Sequence, residues 1–324
     1  MVINLSKFRT KVLFCIIIIV VLSFGISIVF SWEVLNDNES KILDSEFSLY
    51  ERTMKRDILS LMMAYPEHIT GVKKRDDGKV YIVMNSGNEI IYDDGVAKSF
   101  SEKIYNGDLQ DMLEDIYPLW DTHKIMEKNI DPGRIRVYSL LKEVYGDSEK
   151  KVSSNLENVF IGGSAFAFNK SNNASKSLKK AIDETYELLK VKPEIYQHIL
   201  PANGTYNYRF IAGTNLLSPH AFAIAVDLKS DSRDYWKWAT PEQAEERLNS
   251  YPRDVVKIFE KNNFIWGGKW SHFDILHFEY RPEIIIKSRY FIEAHEIIEP
   301  WYYGYPVDNE DVLGYIKIIE EALD

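Results

Sequence analysis

Ser218-Pro219-His220-Ala221-Phe222-Ala223-Ile224-Ala225-Val226-Asp227 is the stretch on which the fold turns. Side chains of a β-strand alternate between its two faces. Taken as a strand, the segment after His220 sends Phe222, Ile224, Val226 and Leu228 one way, into a core. Ala221, Ala223, Ala225 and Asp227 go the other way. Small residues line that second face, which leaves room beside Asp227 for a metal ion and a substrate. His220 has the wrong parity for this face and is expected in the turn opened by Ser218-Pro219.

A second stretch, Trp270-Ser271-His272-Phe273-Asp274-Ile275-Leu276-His277-Phe278-Glu279, complements the first. If Leu276 to Tyr280 is a strand, His277 and Glu279 share a face and Asp274 lies just before it. His220, Asp227 and His277 then offer three nitrogen and oxygen ligands. A catalytic zinc takes three such ligands and keeps a fourth position for water. The metal acidifies that water, and a neighbouring carboxylate can take its proton. Asp274 suits that task. Glu279 can orient His277, since ligand histidines usually donate their second N–H to an acceptor. His272 shares strand parity with Asp274 and competes as a ligand. The His295-Glu296 pair lacks the second histidine of the helical zinc-protease motif and reads as helix surface. Spacing alone leaves these histidines open to the ordinary reading, surface or core.

Motifs add to the spacing. Ser218, His220, Ala225 and Asp227 fit the S-x-H-x-x-G-x-A-x-D signature of VanY-type zinc D-alanyl-D-alanine carboxypeptidases. Phe264-Ile265-Trp266-Gly267-Gly268-Lys269-Trp270, followed by Asp274-x-x-His277-Phe278-Glu279-Tyr280-Arg281-Pro282-Glu283, resembles the second signature of that family. Tyr206 to Thr214 resembles its lead-in to the first ligand, and weaker similarity reaches back through Asp131-Pro132-Gly133-Arg134 to about Asp93. The family includes L-alanyl-D-glutamate endopeptidases.

The resemblance implies an α+β fold in which an antiparallel sheet carries a zinc site among packed helices. It implies Zn2+ on His220, Asp227 and His277, with Asp274 as catalytic base. It implies an arginine that contacts substrate and stabilises the oxyanion, here Arg209 within the lead-in; Arg134 is assigned to a helix start instead. Ser218 is expected to touch substrate or brace the His220 turn. One position departs from the pattern: the family glycine is Ala223 here. A glycine often marks positive φ or close backbone approach, so altered specificity or rate is expected.

The rest of the chain sets the context. Its 324 residues are 45% hydrophobic and 27% charged, which supports an ordinary core. The formal charge is −10 and no dense Lys/Arg block appears beyond the first dozen residues. A nucleic-acid partner is therefore not expected, because phosphate binding needs a basic face. Cys15 is the only cysteine, so neither an internal disulfide nor a Cys-based zinc site is available.

Lys7, Arg9 and Lys11 precede an apolar run from Val12 to Trp32, and Glu33, Asp37 and Glu39 follow it. A transmembrane helix needs about 20 such residues. The charge asymmetry predicts a cytoplasmic N-terminus, a single-pass anchor in the cell membrane and an extracytoplasmic catalytic domain. A cleaved signal peptide is disfavoured, since its apolar stretch is about 7–15 residues and ends at small residues.

The expected organisation is a cytoplasmic N-terminus over 1–11, an anchor over 12–32, a helical stalk over 33–66, an N-terminal α+β region over 67–150, a zinc peptidase domain over 151–305 and a C-terminal helix over 306–324. Apolar residues at steps of three and four from Leu43 to Tyr65 predict an amphipathic helix. It is a stalk, a surface for self-association over 43–65, or a helix docked on its own domain; docking is preferred. Val80–Met84 and Glu89–Tyr92 flank Asn85-Ser86-Gly87-Asn88 and read as a hairpin. Asp131-Pro132-Gly133-Arg134 is expected to open a helix, with Asp as cap and Pro at its first position. Further helices are expected after Ser171 to Asn173 and after Pro252.

The expected activity is hydrolysis of stem peptides of bacterial peptidoglycan, as a D-alanyl-D-alanine carboxypeptidase. An L-alanyl-D-glutamate endopeptidase is the alternative within the family. A catalytically silent wall-binding or sensor module is the alternative from another class.

Overall fold

The computed structural model describes residues 49–291 and 300–324. It is α+β with small antiparallel sheets, as the sequence predicts. Residues 52–64 are helical. β1 (Ile69–Lys74), β2 (Val80–Met84) and β3 (Glu89–Ile91) then form one antiparallel sheet in that order. β4 (Leu156–Ile161) and β5 (Ser164–Asn169) form a hairpin. β6 (Ala225–Asp227), β7 (Phe264–Trp266) and β8 (His277–Tyr280) form the third sheet, with β8 in the middle and both of its neighbours antiparallel.

The third sheet carries the site, and its register follows from alternation. Asp227 pairs with His277 and Ala225 with Glu279, so these four side chains share one face. Val226 pairs with Phe278, and Phe278 also with Trp266, on the opposite face. That opposite face is a core. Phe278 lies 4.4 Å from the ring of Phe259 and is stacked with Trp266 at 19°. Phe259 comes from the helix Arg253–Lys261, which also buries Val255 and Val256. Each such large apolar side chain contributes roughly 1.5–3 kcal/mol when fully buried. The helix ends at Asn262 and Asn263, the latter at φ 65°, a conformation asparagine tolerates better than most residues.

The helix Ala174–Val191 buries Leu178, Ile182 and Thr185 and packs on β4 and on the helix Arg253–Lys261. The helix Glu310–Leu323 packs on β1. Residues Arg52–Asp324 form one compact unit.

Three expectations need correction, and one alternative is not supported. First, no helix among the described residues is long and apolar enough to cross a membrane. The fold as described therefore contains no transmembrane helix, and the apolar run over 12–32 lies outside the described residues. Second, Ile58, Leu61 and Tyr65 are fully buried in the core of their own unit. That stripe is spent on docking, so the structure does not support self-association through 43–65; Leu43 and Phe47 lie outside the described residues. Third, Asp131-Pro132-Gly133-Arg134 is a turn closed by the Arg134 N–H on the Asp131 carbonyl, and the helix starts only at Tyr138. The Asp131 side chain, expected to cap a helix, accepts from Arg134 and from the backbone of His272. Fourth, the strand before Asp227 is shorter than alternation predicts. Pro219–Phe222 is a 3-10 turn, and pairing begins at Ala225. The pair His295-Glu296 lies outside the described residues.

Candidate metal and catalytic site

The first ligand is placed by a turn. Ser218 caps it, its hydroxyl accepting from the His220 N–H at 3.3 Å, and Pro219 fixes the first helical position. The turn ends at Ala223, which adopts φ 54°, ψ 44°, a left-handed conformation. Ala223 therefore occupies a backbone position that favours glycine. Its carbonyl accepts from the Asn169 N–H, and the Asn169 side chain donates to the carbonyls of Tyr145 and Phe222. Asn169 is fully buried and fastens the turn to β5. Sequence reading gave no sign of it.

Within this frame the His220 ring is oriented by backbone. Its Nδ1 donates to the Thr205 carbonyl at 2.6 Å, which leaves the lone pair on Nε2. Nε2 lies 3.3 Å from Asp227 Oδ1. The segment holding Thr205 is itself tied to the end of β6, where the Asp227 N–H donates to the Gly204 carbonyl at 2.9 Å.

The second ligand histidine is set the opposite way round. His277 Nδ1 lies 2.8 Å from Asp227 Oδ1, and its Nε2 faces Glu279 Oε2 at 3.7 Å. Glu279 is fully buried. Arg136 grips it with both arms of its guanidinium, Nε at 2.9 Å and Nη2 at 2.6 Å, and Arg281 Nη1 stands 3.5 Å away. Burial pushes the Glu279 carboxyl up, but Arg136, His277 and Arg281 outweigh it and hold the group well below the usual carboxylate range. An ionised carboxylate only accepts, so it favours His277 with its proton on Nε2 and its lone pair on Nδ1.

His220, Asp227 and His277 thus direct one ligand atom each to a common point, with those atoms within 4.8 Å of one another. The donor set, two imidazoles and one carboxylate, suits zinc. Both outward nitrogens face acceptors, as metal-bound histidines require. Electrostatics agree. Burial works against a charged His277, yet Asp227, Glu279 and Asp274 prevail and push it up to about 10. Burial raises Asp227, and the two histidines pull it far below its usual range. The pocket favours a cation.

Asp274 sits beside this group without belonging to it. Its backbone is fixed by the N–H to Gly267 carbonyl bond and by a bridge to Tyr235. Its Oδ1 is buried with no hydrogen-bond partner. Burial pushes its carboxyl up to about 7, with Asp227 and Asp234 adding to the effect and His277 and Arg134 opposing it. A carboxyl near neutrality is suited to take up and release protons.

Other expected residues fall elsewhere. His272 is not in the ligand group; its Nδ1 binds Asp131 Oδ2 at 2.6 Å and its ring stacks on Phe100. Arg209 is exposed, with its guanidinium 3.4 Å from the Phe210 carbonyl, while its own carbonyl accepts from the Ser218 N–H. That bond places its backbone two residues from His220. Asp93, Asp94 and Asp108 form a second acidic group with metal-binding spacing. Lys98 already supplies a cation there, with its ammonium 2.9 Å from Asp94, 2.8 Å from Asp108 and 2.7 Å from Asp111.

Residues 212–280 match the family model described as D-alanyl-D-alanine carboxypeptidase. The matched segment contains Ser218, His220, Asp227, Asp274, His277 and Glu279, and begins after Arg209. It supports the family that the two motifs resemble, and with it a peptidase that acts on peptidoglycan. Peptidases of this family are generally zinc-dependent, and the His-Asp-His group fits that metal. No curated protein and no solved structure matches the chain.

Proposed function

We propose that this chain is a zinc peptidase that removes the terminal D-alanine from peptidoglycan stem peptides. The observation that carries the reading is the convergence of His220, Asp227 and His277 beside an unpartnered Asp274 oxygen. The description of the matching family favours the carboxypeptidase over the endopeptidase. A wall substrate places the site of action outside the cytoplasm.

His220 through Nε2, Asp227 through a carboxylate oxygen and His277 through Nδ1 would hold the ion. When bound, zinc supplies Lewis-acid polarisation of the scissile carbonyl and acidifies water. The chain's own residues do the rest. Asp274 accepts the proton of the attacking water on its free oxygen and passes it to the departing amine. Glu279, gripped by Arg136, keeps His277 turned towards the ion. Thr205 does the same for His220 through its carbonyl. Arg209, assigned through the family motif, contacts substrate and stabilises developing negative charge, a kind of stabilisation that often dominates catalysis.

Digestion of purified muropeptides with residues 33 to 324, followed by mass analysis, tests the reading. Loss of one alanine supports it. Release of the peptide from its D-glutamate onward assigns the endopeptidase instead. No cleavage by a zinc-loaded protein leaves only a binding module.

A further inference from the structure

Arg134 was expected in a helix start, and the structure places it elsewhere. Its turn is stitched to the segment that leads into Asp274. Ser271 N–H donates to the Ile130 carbonyl, Trp270 Nε1 to the Pro132 carbonyl, and His272 N–H to Asp131 Oδ1, each at 2.9 Å. On its other side, Arg136 Nη1 donates to the Arg134 carbonyl at 2.9 Å while its remaining arms hold Glu279. Arg134 thus lies between the Asp274 segment and the carboxylate behind His277.

The side chain is held at one end and open at the other. Nη1 donates to Asp131 Oδ2 at 2.8 Å, and Asp131 is fully buried and also bound to His272. A guanidinium has five N–H donors. Among the described residues no other hydrogen bond of the Arg134 side chain is present, and the side chain is 24% exposed. Trp270, whose indole is tied to the Pro132 carbonyl of this turn, has its ring 5.9 Å from that of His277. A pre-positioned arginine with free donors is suited to grip a carboxylate, because little side-chain freedom remains to be lost.

We propose that Arg134 is a specificity residue that binds the α-carboxylate on the amino acid released as the amine. The proposal rests on the peptidase reading above. Terminal D-alanine carries such a carboxylate on the carbon that bears the scissile nitrogen. D-glutamate in the stem carries one in the same place when the chain continues through its side-chain carboxyl. The shared chemistry is an anion next to the departing nitrogen, whichever bond is cut.

The test is a ratio of two substrates within one protein, so the amount of folded protein cancels. Zinc-loaded protein is given a stem peptide ending in D-alanyl-D-alanine as the free acid, and the same peptide as the terminal amide. A second pair has the D-glutamate α-carboxylate free or amidated, and shows which bond supplies the anion. Wild type is expected to prefer the free acid, and Arg134→Met to lose about 10- to 100-fold of kcat/KM on it while holding its rate on the amide. Arg134→Lys should recover part of the preference. Calorimetry of the metal-free protein with the free-acid peptide should show the same weakening in Arg134→Met. An unchanged acid-to-amide ratio in Arg134→Met overturns the subsite and leaves the peptidase standing. If wild type cleaves neither pair, the peptidase reading falls and the subsite falls with it.

Discussion

Asp227 and His277 are directly opposed partners across β6 and β8, with Asp227 Oδ1 2.8 Å from His277 Nδ1. Opposed residues in an antiparallel pair share a face. Two short strands therefore fix two of the three ligands relative to one another, and only His220 depends on a turn.

The first prediction concerns that pair. His277→Ala or Asp227→Ala should lose more zinc affinity than the roughly 10- to 100-fold that follows a change behind a ligand. Competition against a chelating dye measures this. The wild type should also lose thermal stability when chelated, since a ligand at a thousand times its Kd adds about 4 kcal/mol to the folded state. A wild type that melts identically with and without chelator would remove the metal from the account.

The second prediction concerns Ala223 at φ 54°. A non-glycine residue there costs roughly 1–2 kcal/mol. Glycine relieves this but gives back part of it, roughly 0.4–1 kcal/mol, through the freer unfolded chain. Ala223→Gly should gain about 0.5–1 kcal/mol net in urea unfolding. Ala223→Val should lose stability, because a β-branched side chain is least tolerated at positive φ. Equal midpoints for all three would show that the turn relaxes away from this conformation.

The sequence made some of this legible and hid the rest for physical reasons. Alternation placed His277 with Glu279 on one face of their strand and Asp227 on the non-core face of its own, because that property is local, while the pairing of β6 with β8 that joins the two faces is not. It failed over Pro219–Phe222, where the Ser218 cap and the proline favour a 3-10 turn. Asp131-Pro132 carries a helix-start signal, but the Asp131 carboxylate is claimed by His272 from 141 residues away. The Arg136 grip on Glu279 spans 143 residues and has no sequence signature. Thr205 acts through its carbonyl, which no residue type announces. Local patterns gave the ligands, and contacts across the fold gave the groups that orient them.

The third prediction concerns pH and the metal-free protein. Burial raises Asp274 to about 7 from an ordinary value near 3.8. A raised acid favours the protonated form in the fold, so its ionisation costs stability. That cost is absent below the unfolded pKa, grows as pH rises towards 7 and is constant above it. Three units correspond to at most about 4 kcal/mol. Metal-free Asp274→Asn should therefore be more stable than metal-free wild type at pH 8, and the difference should vanish at about pH 3. Urea unfolding at both pH values checks the sign. A difference that does not change with pH would mean that Asp274 titrates normally.

The fourth prediction separates a positioning role for Glu279 from a structural one. Its carboxylate is 3.7 Å from His277 Nε2 and held by Arg136. Glu279→Gln keeps the shape but can present an N–H to that nitrogen. His277 then has reason to move its proton to Nδ1, the atom that faces Asp227. Zinc affinity should fall about 10- to 100-fold. Tyr65→Phe is the control, since Tyr65 donates to Glu283, which pairs with Arg281 on the far side of the same buried charges. It should cost stability through the unsatisfied Glu283, about 1–3 kcal/mol, with zinc affinity kept. If both variants lose affinity alike, Glu279 acts only by holding the fold. If Glu279→Gln alone loses it, and nitrogen-15 chemical shifts show the His277 proton moved between ring nitrogens, the carboxylate sets the tautomer of the ligand.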